Sequence, residues 1–113
     1  QPLTVFGDGS QTRSFTYVTD LVDGILRTAY SPSAEGEVIN LGNNIETTII
    51  DLAKNIKNVT KSESEIIFLP LPEDDPKRRC PDVSKANNIL DWKPVTGLQS
   101  GLKKTISWFI GKN

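Results

Sequence analysis

The sequence predicts an α/β or α+β fold, on the alternation of short β-rich runs with amphipathic helical runs. Leu3-Thr4-Val5-Phe6 and Ile66-Ile67-Phe68-Leu69 are runs of strand-favouring side chains, closed by Gly7 and by Pro70. Leu21, Val22, Ile25, Leu26 and Ala29 recur at helical spacing, as do Ile49, Leu52, Ala53, Ile56 and Val59. No repeat, low-complexity stretch or linker divides the 113 residues, so 1–113 is expected to be one region.

The elements follow in order. Gly7-Asp8-Gly9-Ser10 is turn chemistry, with two glycines able to take positive φ, and 12–16 is expected to return as the second strand of a hairpin. Thr19 and Asp20 suit a helix start, where an acid meets the positive helix end, and Ser31-Pro32-Ser33 stops that helix. Gly36 to Gly42 reads as a strand bounded by glycines, and Thr47 or Thr48 caps the next helix. Ile66 to Leu69 is a third strand. Residues 70–82 form an irregular loop carrying Pro70, Pro72, Pro76 and Pro81, with Glu73-Asp74-Asp75 ahead of Lys77-Arg78-Arg79. Ser84 is expected to cap a short helix that Asp91-Trp92-Lys93-Pro94 breaks. Leu98, Leu102, Ile106 and Phe109 give the last helix a narrow buried stripe.

Thirteen Lys and Arg against fourteen Asp and Glu leave a net charge of -1, which argues against nucleic-acid or membrane binding by bulk charge. No apolar run approaches the roughly 20 residues that cross a bilayer. One cysteine, Cys80, cannot form an internal disulfide, so a reducing, cytoplasmic setting is expected. The absence of His removes the commonest general base and metal ligand. The absence of Met suggests a piece of a longer protein; a mature processed chain is the alternative.

Few residues offer chemistry. Gly7-Asp8-Gly9-Ser10-Gln11-Thr12 follows a strand but is not followed by an apolar helix opening, so a dinucleotide fingerprint is rejected. Arg13 beside that turn can present its fork to a phosphate or carboxylate, or simply pair with a nearby acid. Arg78-Arg79 ends the proline-rich loop, either preorganised as a basic anchor or neutralised by Glu73, Asp74 and Asp75. Cys80 has no His to activate it. No carboxylate pair or metal-ligand spacing occurs, and Trp92 and Trp108 read as packing residues.

Three stretches together carry a resemblance. They are Leu3-Thr4-Val5-Phe6-Gly7-Asp8-Gly9-Ser10-Gln11-Thr12-Arg13-Ser14-Phe15 running on to Gly24; Val38-Ile39-Asn40-Leu41-Gly42-Asn43; and Asp75-Pro76-Lys77-Arg78-Arg79-Cys80-Pro81-Asp82-Val83-Ser84-Lys85-Ala86 with Leu90-Asp91-Trp92-Lys93-Pro94. In order and spacing they resemble the last third of extended short-chain dehydrogenases acting on nucleotide sugars: UDP-glucuronate decarboxylases first, then NDP-glucose dehydratases and UDP-glucose 4-epimerases.

The resemblance implies a C-terminal substrate-binding lobe, with elements that would complete a missing N-terminal Rossmann lobe. It implies that NAD belongs to that other lobe, with its glycine fingerprint and Tyr-x-x-x-Lys pair. Neither occurs here, since Tyr17 is followed four residues on by Leu21 and Tyr30 by Ala34. No cofactor, metal or turnover is therefore expected of this chain alone. A UDP- or dTDP-sugar is the implied ligand. Leu3, Thr4, Val5 and Phe6 are implied to line the base, Arg13 to contact the diphosphate, and Arg79 to reach the diphosphate or sugar and support the chemical step. Gln11 and Tyr17 are implied as further contacts. In the family the strand near Val38 pairs with the Rossmann sheet and the helix from about Thr19 covers it, so self-association is expected where that lobe is lacking. The competing class is a free-standing α/β binding or interaction module, separated from the first by the sequence upstream of Gln1.

Overall fold

The computed structural model describes residues 1–111, which divide into two compact units. The first contains residues 1–13, 47–79 and 99 onward; the second contains 14–46 and 80–98.

In the first unit, β1 (Leu3–Phe6) lies parallel to β4 (Ile66–Leu69), in a register from Leu3 opposite Ile66 to Phe6 opposite Leu69. Parallel neighbours need a crossover, and α2 (Ile49–Thr60) lies on the route between them. Thr48 caps α2, its Oγ1 accepting the Asp51 N–H at 3.2 Å, and Lys61 closes it in the left-handed region. Ala53 on α2 is buried, and Val5 at the centre of β1 is only 2% exposed.

The expected hairpin does not form. β2 (Thr12–Arg13) is two residues long and pairs antiparallel with β3 (Thr47–Thr48), not with β1. The carbonyls after the turn are claimed by the helix start: Ile50 N–H donates to Gly9 O at 3.0 Å and Ile49 N–H to Gln11 O at 2.9 Å. A Cβ on Gly9 would lie 2.8 Å from the Ile50 Cβ, so glycine is required there by packing as well as by its φ of +78°. The last helix, α4 (Leu98–Gly111), keeps Leu98, Leu102 and Ile106 half-buried. Phe109, expected on that stripe, is exposed instead and meets Trp108 edge to face, with ring centroids 4.9 Å apart.

The second unit holds α1 (Val18–Tyr30), a 3₁₀ turn (Pro32–Ala34) and α3 (Ser84–Leu90). Its core is Ala34, Ala86, Leu90 and Trp92, with Ile39, Leu41 and Ile89 packed around them. Trp92, 2% exposed, donates its indole N–H to Asp20 O at 3.0 Å. The Asp20 carboxylate is buried and accepts the Val95 and Thr96 N–H groups at 3.2 and 2.9 Å. Gly24 lets α1 approach this core: a Cβ there would stand 3.0 Å from both Leu41 and Trp92 side-chain atoms. The helix thus turns Asp20 and Gly24 inward, while Val18, Val22, Ile25, Leu26 and Tyr30 are exposed.

Two further expectations are corrected. Residues 36–42 form no strand; a strand needs a hydrogen-bonded neighbour, and none of the described residues supplies one. Ile39 and Leu41 pack on the core instead, and Val38 is exposed. At α3 the cap position is Val83 and Ser84 is the first helical residue; the Asp82 carboxylate accepts the Ser84 hydroxyl at 2.7 Å and the Ser84 N–H at 3.0 Å. Those two bonds, the hydroxyl's first, hold the Asp82 carboxyl below its ordinary value. At the other end of α3, Arg27 donates to Leu90 O and Asp91 O at 3.3 and 3.1 Å, supplying partners to orphan carbonyls. Among the described residues no helix is long and apolar enough to cross a membrane.

The Asp20 bonds predict a specific cost. Asp20→Ala orphans two part-buried donors and is expected to lower stability by roughly 2–3 kcal/mol. Asp20→Asn, which keeps one acceptor oxygen, is expected to cost less. Chemical denaturation checks this, and a loss within experimental error for Asp20→Ala would contradict it.

Candidate functional site

The glycine turn does not fit a dinucleotide site. A pyrophosphate-binding turn presents free N–H groups at a helix N-terminus. Here the chain leaves the turn into β2, and the nearest helix end, that of α2, is already satisfied. Ile49, Ile50 and Asp51 N–H donate to Gln11 O, Gly9 O and Thr48 Oγ1. Within the turn, Asp8 accepts the Ser10 hydroxyl at 2.6 Å and the Ser10 N–H at 2.9 Å, which hold its carboxyl below the ordinary value. The turn itself therefore offers no pyrophosphate cradle.

The arginines come together on the same unit. Thr12 N–H donates to Lys77 O at 2.8 Å and Arg79 N–H to Thr12 O at 3.4 Å, making a parallel bridge between Thr12 and Arg78. β2 therefore has a main-chain neighbour on each side, β3 on one and residues 77–79 on the other. Alternation along bridged segments puts Thr12 and Arg78 on one side of this ladder and Arg13 and Arg79 on the other. The sequence alone offered Arg78 and Arg79 as one basic pair; the register separates them.

Arg13 is held at both ends of its fork. Its NH1 donates to Thr12 O at 2.7 Å, and its NH2 donates to Asp75 Oδ1 at 2.8 Å. The side chains of Arg13 and Asp75 are 21% and 29% exposed, so the pair is open to solvent on one side. Of the two readings of Arg13, the pairing with a loop acid is present. It leaves further guanidinium N–H groups for a second anion. Arg79 is exposed, and among the described residues its side chain makes no hydrogen bond or ion pair.

The other expected contacts are arranged unequally. Gln11 is buried, with its Nε2 donating to Phe6 O at 2.9 Å, so its amide braces the end of β1. On β1 itself Thr4 and Phe6 face outward and Leu3 is half-buried, whereas Val5 lies in the core and can offer a ligand only its main chain. Tyr17 belongs to the second unit, half-buried at the N-cap of α1. Cys80, also in that unit, is half-buried with its Sγ 3.5 Å from Asn44 O. Among the described residues no group of His, Cys, Asp and Glu could hold a metal ion. Sequence reasoning passed over Ser14, whose Oγ is buried without a hydrogen-bond partner; a serine between Arg13 and Phe15 carries no signal of that burial.

Comparison with known proteins gives this geometry a family. A family model described as GDP-mannose 4,6 dehydratase matches residues 1–105. UDP-glucuronic acid decarboxylase 1 of Danio rerio is 49% identical over 109 residues, covering 96% of this chain and 26% of that protein. UDP-glucuronic acid decarboxylase 4 of Arabidopsis thaliana is 44% identical over 112 residues, covering 96% of this chain and 24% of that protein. Among solved structures, an epimerase from Methanothermobacter thermautotrophicus superposes with a TM-score of 0.95 at 34% identity, over 99% of this chain and 34% of that one. UDP-glucuronic acid 4-epimerase from Bacillus cereus, in complex with UDP-glucuronic acid and NAD, gives 0.91 at 32% identity, over 100% of this chain and 36% of that one. The chain thus spans about a quarter of the curated relatives and about a third of the solved structures. From the turn and the late strand-like segment to the arginine loop, it belongs to the GDP-mannose 4,6 dehydratase family, among the nucleotide-sugar members of the extended short-chain dehydrogenases.

Proposed function

We propose that this chain is the nucleotide-sugar-binding, C-terminal part of an NAD-dependent enzyme of the UDP-glucuronate decarboxylase type. In this reading Arg13 and Arg79 grip the diphosphate of a UDP- or dTDP-sugar. The observation that carries the reading is the bridge between Thr12 and Arg78, which sets the backbone of Arg79 beside the strand that carries Arg13. A diphosphate carries about two negative charges, and guanidinium forks match its oxygens bidentately. Thr4, Phe6 and the main chain of β1 would lie along the base, with Gln11 bracing that strand. The identity to UDP-glucuronic acid decarboxylases over nearly the whole chain supports the decarboxylase type over the dehydratases and epimerases.

NAD and the acid–base residues would come from a Rossmann lobe outside this sequence. When bound there, the nicotinamide supplies hydride transfer to and from the sugar; the residues of this chain bind and orient the diphosphate and exclude water from it. Arg79 would also steady the sugar during the chemical step. Cytoplasmic placement belongs to the same reading, resting on the solitary Cys80.

Three outcomes test this. In the longer protein that contains this sequence, Arg13→Ala and Arg79→Ala are each expected to weaken nucleotide-sugar binding by ~1.5–3 kcal/mol. Arg78→Ala is expected to do much less, because it lies on the other side of the ladder; equal losses at Arg78 and Arg79 in calorimetry would mean that only loop charge matters. The isolated chain is expected to release no CO₂ from UDP-glucuronate in the presence of NAD, and measurable release would refute the division of labour. Finally, the row Val18, Val22, Ile25 and Leu26 on α1 leaves apolar surface uncovered within this chain. The isolated chain is expected to self-associate through it, or failing that to show weak amide protection over residues 19–41. A strict monomer by sedimentation, well protected over that span, would contradict both.

A further inference from the structure

The fork of Arg13 is occupied within the chain itself. Asp75 Oδ1 takes its NH2 at 2.8 Å, and the Thr12 carbonyl takes its NH1 at 2.7 Å. Asp75 is delivered by a constrained loop. Its own N–H donates to Pro72 O at 3.4 Å, the preceding Asp74 sits in the left-handed region at φ 65°, and Pro76 follows. Three residues on, the bridge at Arg78 ties the loop to β2. Little chain entropy is therefore lost in holding the carboxylate where it is. Carboxylate and phosphate are the two anions whose oxygens match the guanidinium fork. A carboxylate oxygen on NH2 stands where a phosphate oxygen would.

We propose that Asp75 is an internal occupant of the Arg13 fork, a carboxylate that the diphosphate of a nucleotide sugar displaces on binding. The inference rests on the reading of Arg13 as a diphosphate anchor. It adds that the free chain holds a stand-in for the ligand, and that affinity is set below what two unpartnered arginines would give.

Two effects of Asp75 oppose one another, and the geometry decides between them. As a brace it could orient Arg13 and so favour the ligand; as a like charge it disfavours an incoming anion. Removing Asp75 leaves the bond from NH1 to Thr12 O, so the fork keeps an orienting contact while the repulsion is gone. Both side chains are partly exposed, so one anion can replace the other without unfolding.

The test uses UDP as the probe and the longer protein that contains this sequence, with thermal melts to verify folding. Asp75→Asn is expected to tighten UDP binding about threefold to tenfold, a range suited to releasing a partly exposed ion pair. Asp74→Asn removes the same formal charge one residue away and suits the left-handed conformation. It is expected to leave affinity within about twofold. Arg13→Ala is expected to weaken binding and to abolish the gain from Asp75→Asn in the double variant. Unchanged or weaker binding by Asp75→Asn would make Asp75 a brace and overturn the proposal. An equal gain from Asp74→Asn would reduce it to general charge, and no UDP binding by any variant would overturn it too. The anchor reading fails separately, if Arg13→Ala and Arg79→Ala leave nucleotide-sugar binding unchanged in the longer protein.

Discussion

The carbonyl of Thr12 is the point on which the first unit's chemistry depends. It accepts the Arg79 N–H at 3.4 Å and the Arg13 guanidinium at 2.7 Å, so one acceptor fixes the backbone of one arginine and the side chain of the other. A carbonyl has two lone pairs, and both are used here for positioning. The residue's N–H is spent as well, on Lys77 O. β2 is two residues long, yet it is the middle member of a three-part ladder, with β3 and the loop end as its flanks. A strand so short gains little from its own propensity and is held by its neighbours.

The second unit rests on a different device. Asp20 uses its carbonyl for the Trp92 indole and its carboxylate for two backbone N–H groups, so one residue of α1 satisfies three donors around the core. A buried carboxylate is costly unless it is hydrogen-bonded, and these bonds offset that cost. Gly24, one turn on, gives up helix propensity of about 1 kcal/mol relative to Ala in exchange for close approach to Trp92. Together they explain why α1 faces inward with small and polar residues and outward with Val22, Ile25 and Leu26.

What the sequence made legible was mostly local. Helical periodicity located α1, α2 and α4, the cap of α2 was narrowed to Thr47 or Thr48, and the β-rich runs at Leu3 and Ile66 became strands. The errors concern partners distant along the chain. A glycine turn after a strand suggests a hairpin, but β1 found its neighbour 63 residues on, across a helix. Residues 36–42 have the composition of a strand, but composition supplies no hydrogen-bonded neighbour. Ser84 and Asp82 are both capping residue types, and only geometry shows that Asp82 accepts from Ser84. At the candidate site, Arg13 and Arg79 were each visible as basic residues in constrained settings. Their sharing of one side of a ladder, and the choice of Asp75 over Glu73 and Asp74 as the partner of Arg13, are matters of register that no spacing reveals.

The start of α2 carries a further consequence. Its first N–H groups are plugged by the carbonyls of Gly9 and Gln11 and by the Thr48 hydroxyl, so the helix's positive end is sealed from within. The amides at this helix start are therefore not open to an anion, and recognition of one beside β2 would fall to side chains. A grip made of backbone amides is inherited with the fold and is hard to alter. In the proposed reading the grip is instead two arginines and a rival carboxylate, which can be retuned one codon at a time, leaving the strength of anion recognition free to diverge while the architecture is kept.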